Sequence, residues 1–234
     1  MKLSIVIPAY NERATITEII NKALNAPFEY SKELIIIDDC STDGTREFLE
    51  GLSKSPEAES GCIKVLMHPR NCGKGAAIRT AIPHVTGDIV LIQDADLEYD
   101  PRDYPALLQP IVEGHADVVY GNRFHGGSHR VLYFWHFLGN RVLTTLTNLL
   151  TNLNLTDMEV GYKVFRTEVL KQIRIESQRF GFEPEITIKV AKLRCRLYEV
   201  PITYHGRTYD EGKKISWRDG VAALLHMIRY RFFD

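Results

Sequence analysis

Four times within its first hundred residues, the chain passes from a short run of branched apolar residues into a polar loop. Leu3–Ile7 runs into Pro8, Ala9, Tyr10, Asn11 and Glu12, and Leu34–Ile37 into Asp38, Asp39, Cys40, Ser41, Thr42, Asp43, Gly44 and Thr45. Ile63–Met67 leads to His68, Pro69, Arg70, Asn71, Cys72, Gly73, Lys74 and Gly75, and Ile89–Ile92 to Gln93, Asp94, Ala95 and Asp96. A helical pattern follows each of the first three loops, ending near Leu24, Leu52 and Ile82. Continuous apolar strands alternating with helices make a mostly parallel sheet covered on both faces. The expected class is therefore α/β, doubly wound.

Sheets of this kind bind ligands in the crevice at the carboxyl ends of their strands. The four loops fall at that edge and carry Tyr10 and Glu12, Asp38 and Asp39, Gly73-Lys74-Gly75, and Asp94 and Asp96. Helix capping accounts for Ser41, Thr42 and Asp43. It accounts poorly for Asp39 and for the Asp94/Asp96 pair. Asp-x-Asp at a strand end offers two hard oxygen ligands, the chemistry that Mg²⁺ or Mn²⁺ prefers together with substrate phosphates. Alone the motif is weak; its place beside a Gly-Lys-Gly loop strengthens it. Lys74, opening a helix, suits a phosphate alongside helix N-terminal amides, the alternative being a solvated lysine after a turn. The segment is not a Walker A loop, and no Gly-x-Gly-x-x-Gly follows the first strand, which argues against a dinucleotide dehydrogenase.

Composition narrows the classes further. The 234 residues are 44% hydrophobic and 25% charged with a formal net charge of −1, an ordinary globular balance without a basic field for nucleic acid. Four scattered cysteines lack zinc-site or disulfide spacing, so reduced thiols in a cytoplasmic protein are expected. No uncharged stretch approaches the roughly 18–20 apolar residues that span a bilayer. The turn-rich stretch 50–61 reads as a surface excursion without chemistry. The second half loses the alternation. Strand character is expected at 117–123, 156–166 and 197–204, and helices at about 135–150, 183–193 and 217–233.

Together the loops resemble the GT-A-fold glycosyltransferases of family 2, in particular the dolichol-phosphate mannosyltransferase-like group with its bacterial polyprenyl-phosphate members. The resemblance rests on Val6–Glu12, Ile37–Thr45, Arg70–Gly75, Asp94-Ala95-Asp96, Gly121-Asn122-Arg123-Phe124, Asp157–Phe165, Gly181–Glu185 and Arg207-x5-Lys213, in the family's order. It implies one Rossmann-like GT-A domain over 1–234. Residues 1–120 would bind the sugar nucleotide, 121–210 the acceptor, and 211–234 would form an amphipathic helix. It also implies inverting transfer of a hexose from a UDP- or GDP-sugar, with Asp94 and Asp96 on the metal. Pro8, Tyr10, Glu12, Asp39, Lys74 and Ala95 would line the nucleotide, and Arg207 and Lys213 would fold over the diphosphate.

The acceptor decides whether a base is needed. A sugar hydroxyl must lose a proton, and Asp157, with Glu159 on the same side of an extended segment, is the candidate. A phosphate monoester is already ionised near neutral pH and needs cations instead. Between Gly121 and Thr156 the only formal charges are Arg123, Arg130 and Arg141, a bias that favours a polyprenyl phosphate. The aromatic run Val131–Leu138 and the segment Trp217–Phe233 suit peripheral contact at the inner face of the cell membrane, or else core packing or a homo-oligomer contact. A noncatalytic sugar-nucleotide-binding subunit is the alternative outside enzymes.

Overall fold

The first strand, β1 (Lys2–Ala9), is buried almost throughout, as its unbroken apolar run requires of a strand covered on both faces. The computed structural model describes all residues other than 28, 126–128, 132, 179–180, 209, 212–216 and 234, without the side chains of 217–219 and 221. Helix α1 (Ile16–Leu24) buries Ile16, Ile19, Ile20 and Ala23, the i, i+3, i+4, i+7 stripe of a helix lying on a sheet. Strands β2 (Ser31–Asp38), β3 (Ile63–Met67) and β4 (Ile89–Ile92) follow, with α2 (Thr45–Leu52), α3 (Pro56–Glu59) and α4 (Lys74–Ala81) between them. Then come α5 (Tyr104–Val112), β5 (Val118–Asn122), α6 (Phe134–Thr151), β6 (Lys163–Arg166), α7 (Thr167–Leu170), α8 (Phe182–Lys192), β7 (Leu197–Pro201) and α9 (Trp217–Phe232).

Among the described residues the sheet has seven strands in the order β3-β2-β1-β4-β6-β5-β7. Six run one way, and β6 alone is antiparallel, to β4 and to β5. The doubly wound α/β reading thus holds, with one reversed strand that the pattern did not disclose. The expected strand over 156–166 narrows to Lys163–Arg166. Helix α5 was not foreseen. Prolines at its start and at Pro110 hide a helix whose Leu107, Leu108 and Ile111 are buried. Within the excursion 50–61, α3 forms on a Ser55 cap that accepts from Ala58 N.

Helix α9 docks one face. Met227 and Tyr230 pack with Met158 and Ile188 beside Leu143, Leu146 and Leu150 of α6. Its opposite face leaves Leu225, Ile228 and Phe232 exposed. No described helix is long and apolar enough to cross a membrane.

Candidate active site

Because β6 alone is reversed, one edge of the sheet collects the carboxyl ends of six strands and the start of the seventh. That edge holds the candidate residues. Asp94 and Asp96 follow β4, Glu12 follows β1, Lys74 opens α4 after β3, Arg123 follows β5, and Arg207 lies beyond β7. Gly73 precedes Lys74 at φ 87°, where an L side chain is strained.

Two cations meet the Asp-x-Asp pair. Lys74 Nζ donates to Asp94 Oδ1 at 2.8 Å and to Glu183 Oε1 at 3.0 Å. Arg207 Nη2 donates to Asp96 Oδ2 at 2.8 Å, and the same guanidinium reaches Glu12 Oε2 and Glu98 Oε1 at 3.3 Å each. Glu98 also accepts from Tyr204 Oη at 2.8 Å and from Arg207 N at 3.0 Å. Burial, then the charges of Asp94 and Glu98, push the Asp96 carboxyl up to about 7. Burial alone would lower the Lys74 ammonium, yet the charges of Asp94 and Glu183 hold it well above its ordinary value.

The donor set fits a hard divalent ion. Both aspartates keep about a fifth of their side chains exposed, at 21% and 19%. Each is balanced by an organic cation that stands where the positive charge of an ion would act. Gly161 closes the other side of Asp94. A Cβ there would collide with Asp94 Oδ2 and crowd the Tyr99 ring, while Gly161 N donates to Tyr99 Oη at 2.8 Å. Ala95 is buried, and its carbonyl accepts from Thr15 Oγ1 at 2.7 Å, pinning the pair to the loop of Glu12.

The residues expected at the nucleotide separate into two groups. Tyr10 is 39% exposed just after β1, and Pro8, half-buried, pairs opposite Ile37 near the strand's end. Asp39 is buried, and its two oxygens accept from Cys72 N at 2.8 Å and Gly73 N at 2.6 Å. Its Oδ1 also pairs with His68 Nδ1 at 2.7 Å. Asp39 therefore braces the Gly73-Lys74 loop from within.

Where the sequence placed the acceptor, Arg123 and Asp157 form a two-pronged pair, Nε to Oδ2 at 2.7 Å and Nη2 to Oδ1 at 2.6 Å. Asp157 is fully buried and accepts also from Arg123 N and from Asn140 Nδ2 at 3.0 Å. Glu199 holds the backbone N of Thr156 and Asp157 from behind. Arg130 pairs with Glu211 at 2.7 Å, whereas Arg141 is exposed on α6 and makes no ion pair among the described residues. Glu159 has a buried oxygen without a hydrogen-bond partner, and burial followed by the charge of Glu183 pushes its carboxyl up to about 7. Lys163, fully buried, donates to the carbonyls of Met158 and Val160. Lys213 lies outside the described residues.

Sequence reasoning singled out Asp94, Asp96, Lys74, Glu12 and Arg207, which come together. It gave no role to Gly161, Glu183, Tyr204 or Glu199. The signal available for the first two was their position inside family-like segments; for Tyr204 and Glu199 there was none.

The model of the glycosyl transferase family 2 matches residues 4–174. The chain is 30% identical to "Glycosyltransferase AglJ" of Haloferax volcanii, over 96% of this chain and 70% of that protein. It is 28% identical to an undecaprenyl-phosphate mannosyltransferase of Micrococcus luteus, over 96% and 92%. With a dodecaprenyl-phosphate galacturonate synthase of Rhizobium johnstonii it shares 27%, over 100% and 67%. In fold it resembles glucosyl-3-phosphoglycerate synthase from Mycobacterium tuberculosis, solved with Mn²⁺, uridine diphosphate and phosphoglyceric acid. The TM-score is 0.74 at 20% identity, over 100% of this chain and 79% of that one.

Proposed function

The chain belongs to glycosyl transferase family 2, and on that premise we propose that it moves a hexose, with inversion, from a UDP- or GDP-sugar to a polyprenyl phosphate. One observation carries the reading: the strand-end edge sets two carboxylates and two cations side by side, with a second arginine-bearing face next to them. Asp94 and Asp96 would hold an Mg²⁺ or Mn²⁺ ion, which would supply charge neutralisation for the departing diphosphate. Lys74 and Arg207 add positive charge where negative charge builds up on the departing diphosphate. Tyr10, Glu12 and Pro8 line the nucleotide, and Asp39 acts by holding the Lys74 loop. A phosphate oxygen of the acceptor forms the new bond to the anomeric carbon as the bond to the diphosphate breaks. Both electrons of that bond leave with the nucleotide.

The acceptor assignment draws on Asp157. A general base needs a free lone pair directed at the attacking hydroxyl. Asp157 is fully buried, with its oxygens taken by Arg123 and Asn140. A phosphate nucleophile needs no base, and Arg123 with Arg141, which has no ion pair among the described residues, offers it positive charge. Two relatives are named for polyprenyl phosphates of different sugars, which supports the acceptor and leaves the sugar open. The exposed aromatic face of α6, with Phe134 at 63% and Trp135 at 75%, suits a site that works at the surface of a bilayer.

The test is a panel of radiolabelled UDP- and GDP-sugars with a short polyprenyl phosphate and Mn²⁺, read as labelled lipid. Transfer from one donor is expected, and Asp96→Ala should abolish it. Calorimetry with UDP-glucose and GDP-mannose separates binding from no binding, and slow hydrolysis or transfer then separates an enzyme from a binding subunit. Donor binding without turnover would favour the latter, and normal turnover in Asp96→Ala would remove the metal assignment.

A further inference from the structure

Glu183 has no part in the chemistry above, yet it touches the centre of it. It stands near the start of α8, 5% exposed, with Oε1 on Lys74 at 3.0 Å. Its Oε2 is buried and has no hydrogen-bond partner among the described residues. Lys74 meanwhile spends a second hydrogen on Asp94 Oδ1 at 2.8 Å. A single ammonium thus bridges a metal-ligand carboxylate and a buried carboxylate with one oxygen to spare.

This creates a competition. Lys74 already occupies Asp94 Oδ1, so an ion held by Asp94 would share that carboxylate with the ammonium, and two cations on one carboxylate repel. A half-buried ammonium is costly to leave without a partner. An ammonium carries three donors on a rotatable four-carbon stem, so a small swing can bring it onto both oxygens of one carboxylate. The spare oxygen of Glu183 is the acceptor such a swing requires.

We propose that Glu183 is a positioning residue that takes over Lys74 when a divalent cation claims Asp94, keeping the ammonium beside the diphosphate and off the ion. The inference rests on the assignment of the metal to Asp94 and Asp96. Without the charge of Glu183, Lys74 has only Asp94 to hold, and it becomes a stronger competitor of the metal. Removing Lys74 removes the competition, and Glu183 then ceases to matter to metal binding.

The experiment measures Mn²⁺ affinity from the electron paramagnetic resonance signal of free Mn²⁺, with the full chain and without donor sugar or acceptor. Glu183→Gln is expected to weaken Mn²⁺ binding by about tenfold or more, the range typical of groups that orient metal ligands. Lys74→Met should bind Mn²⁺ at least as tightly as the unchanged chain. The double variant Lys74→Met/Glu183→Gln should match Lys74→Met. Glu183→Asp keeps the charge but withdraws the spare oxygen, and should also weaken binding. If Glu183→Gln binds Mn²⁺ normally, or loses the same affinity with and without Lys74, the inference is overturned and the metal assignment stands. If the unchanged chain binds no Mn²⁺ even with UDP, the metal assignment falls and takes the inference with it.

Discussion

Gly161 has no side chain, and Asp94 uses the room. Replacement by alanine would drive a methyl group into Asp94 Oδ2 and the Tyr99 ring. A displacement of a site group by about 1 Å can cost about 100-fold in rate. Gly161→Ala is therefore expected to lose transfer and Mn²⁺ affinity together while retaining its secondary structure by circular dichroism; unchanged Mn²⁺ affinity would count against the contact. Arg123 makes a different prediction. Its removal leaves a fully buried aspartate without its counter-charge, a change that costs about 3–5 kcal/mol. Urea unfolding should show that loss for Arg123→Ala and recover much of it in Arg123→Ala/Asp157→Ala. At this scale the sequence disclosed the chemistry-bearing loops, because strand ends carry their ligands locally. It did not disclose Gly161 or Glu183, whose meaning depends on partners from distant parts of the chain.

Helix α6 shows what an element can reveal that its residues cannot. Its stretch 134–151 was legible from its pattern, yet it buries only Thr144 and Thr147 and leaves Phe134, Trp135, Val142 and Leu149 exposed. With Arg141 on the same helix and no acid among residues 122–155, that face suits an anionic lipid surface. Phe134→Ser/Trp135→Ser should reduce co-sedimentation with anionic vesicles by about tenfold or more, since a fully buried large apolar side chain contributes roughly 1.5–3 kcal/mol. Equal retention of the variant and the unchanged chain would place the face elsewhere. Apolar periodicity announced β1 to β4, α1, α2, α4, α6 and α8 well. It missed α5, whose prolines mimic a loop, and the reversal of β6, because strand direction leaves no mark on a four-residue apolar run.

Stability of the whole molecule should carry the imprint of its buried acids. Burial and the charge of Glu183 raise the Glu159 carboxyl from 4.5 to about 7 in the fold. Between those values the folded chain holds a proton that the unfolded chain has released, so the stability associated with Glu159 falls as pH rises and is lost above about 7. Lys163, held down to about 8 by burial, is charged in both states across most of that window and adds little to the slope. Glu159→Gln should therefore melt with the unchanged chain near pH 4.5 and above it at pH 8; a melting difference that does not vary with pH would contradict the assignment. The reversed strand has a consequence of its own. Tyr120 and Lys163 are paired neighbours in the sheet, so the chain leaves β5 and re-enters β6 at one point on the same rim. Everything between them hangs from two adjacent stems, and the entropy of closing such a loop grows only slowly with its length. Residues 123–162 are thus held between neighbouring stems, and a change of length within them adds little closure entropy to the sheet.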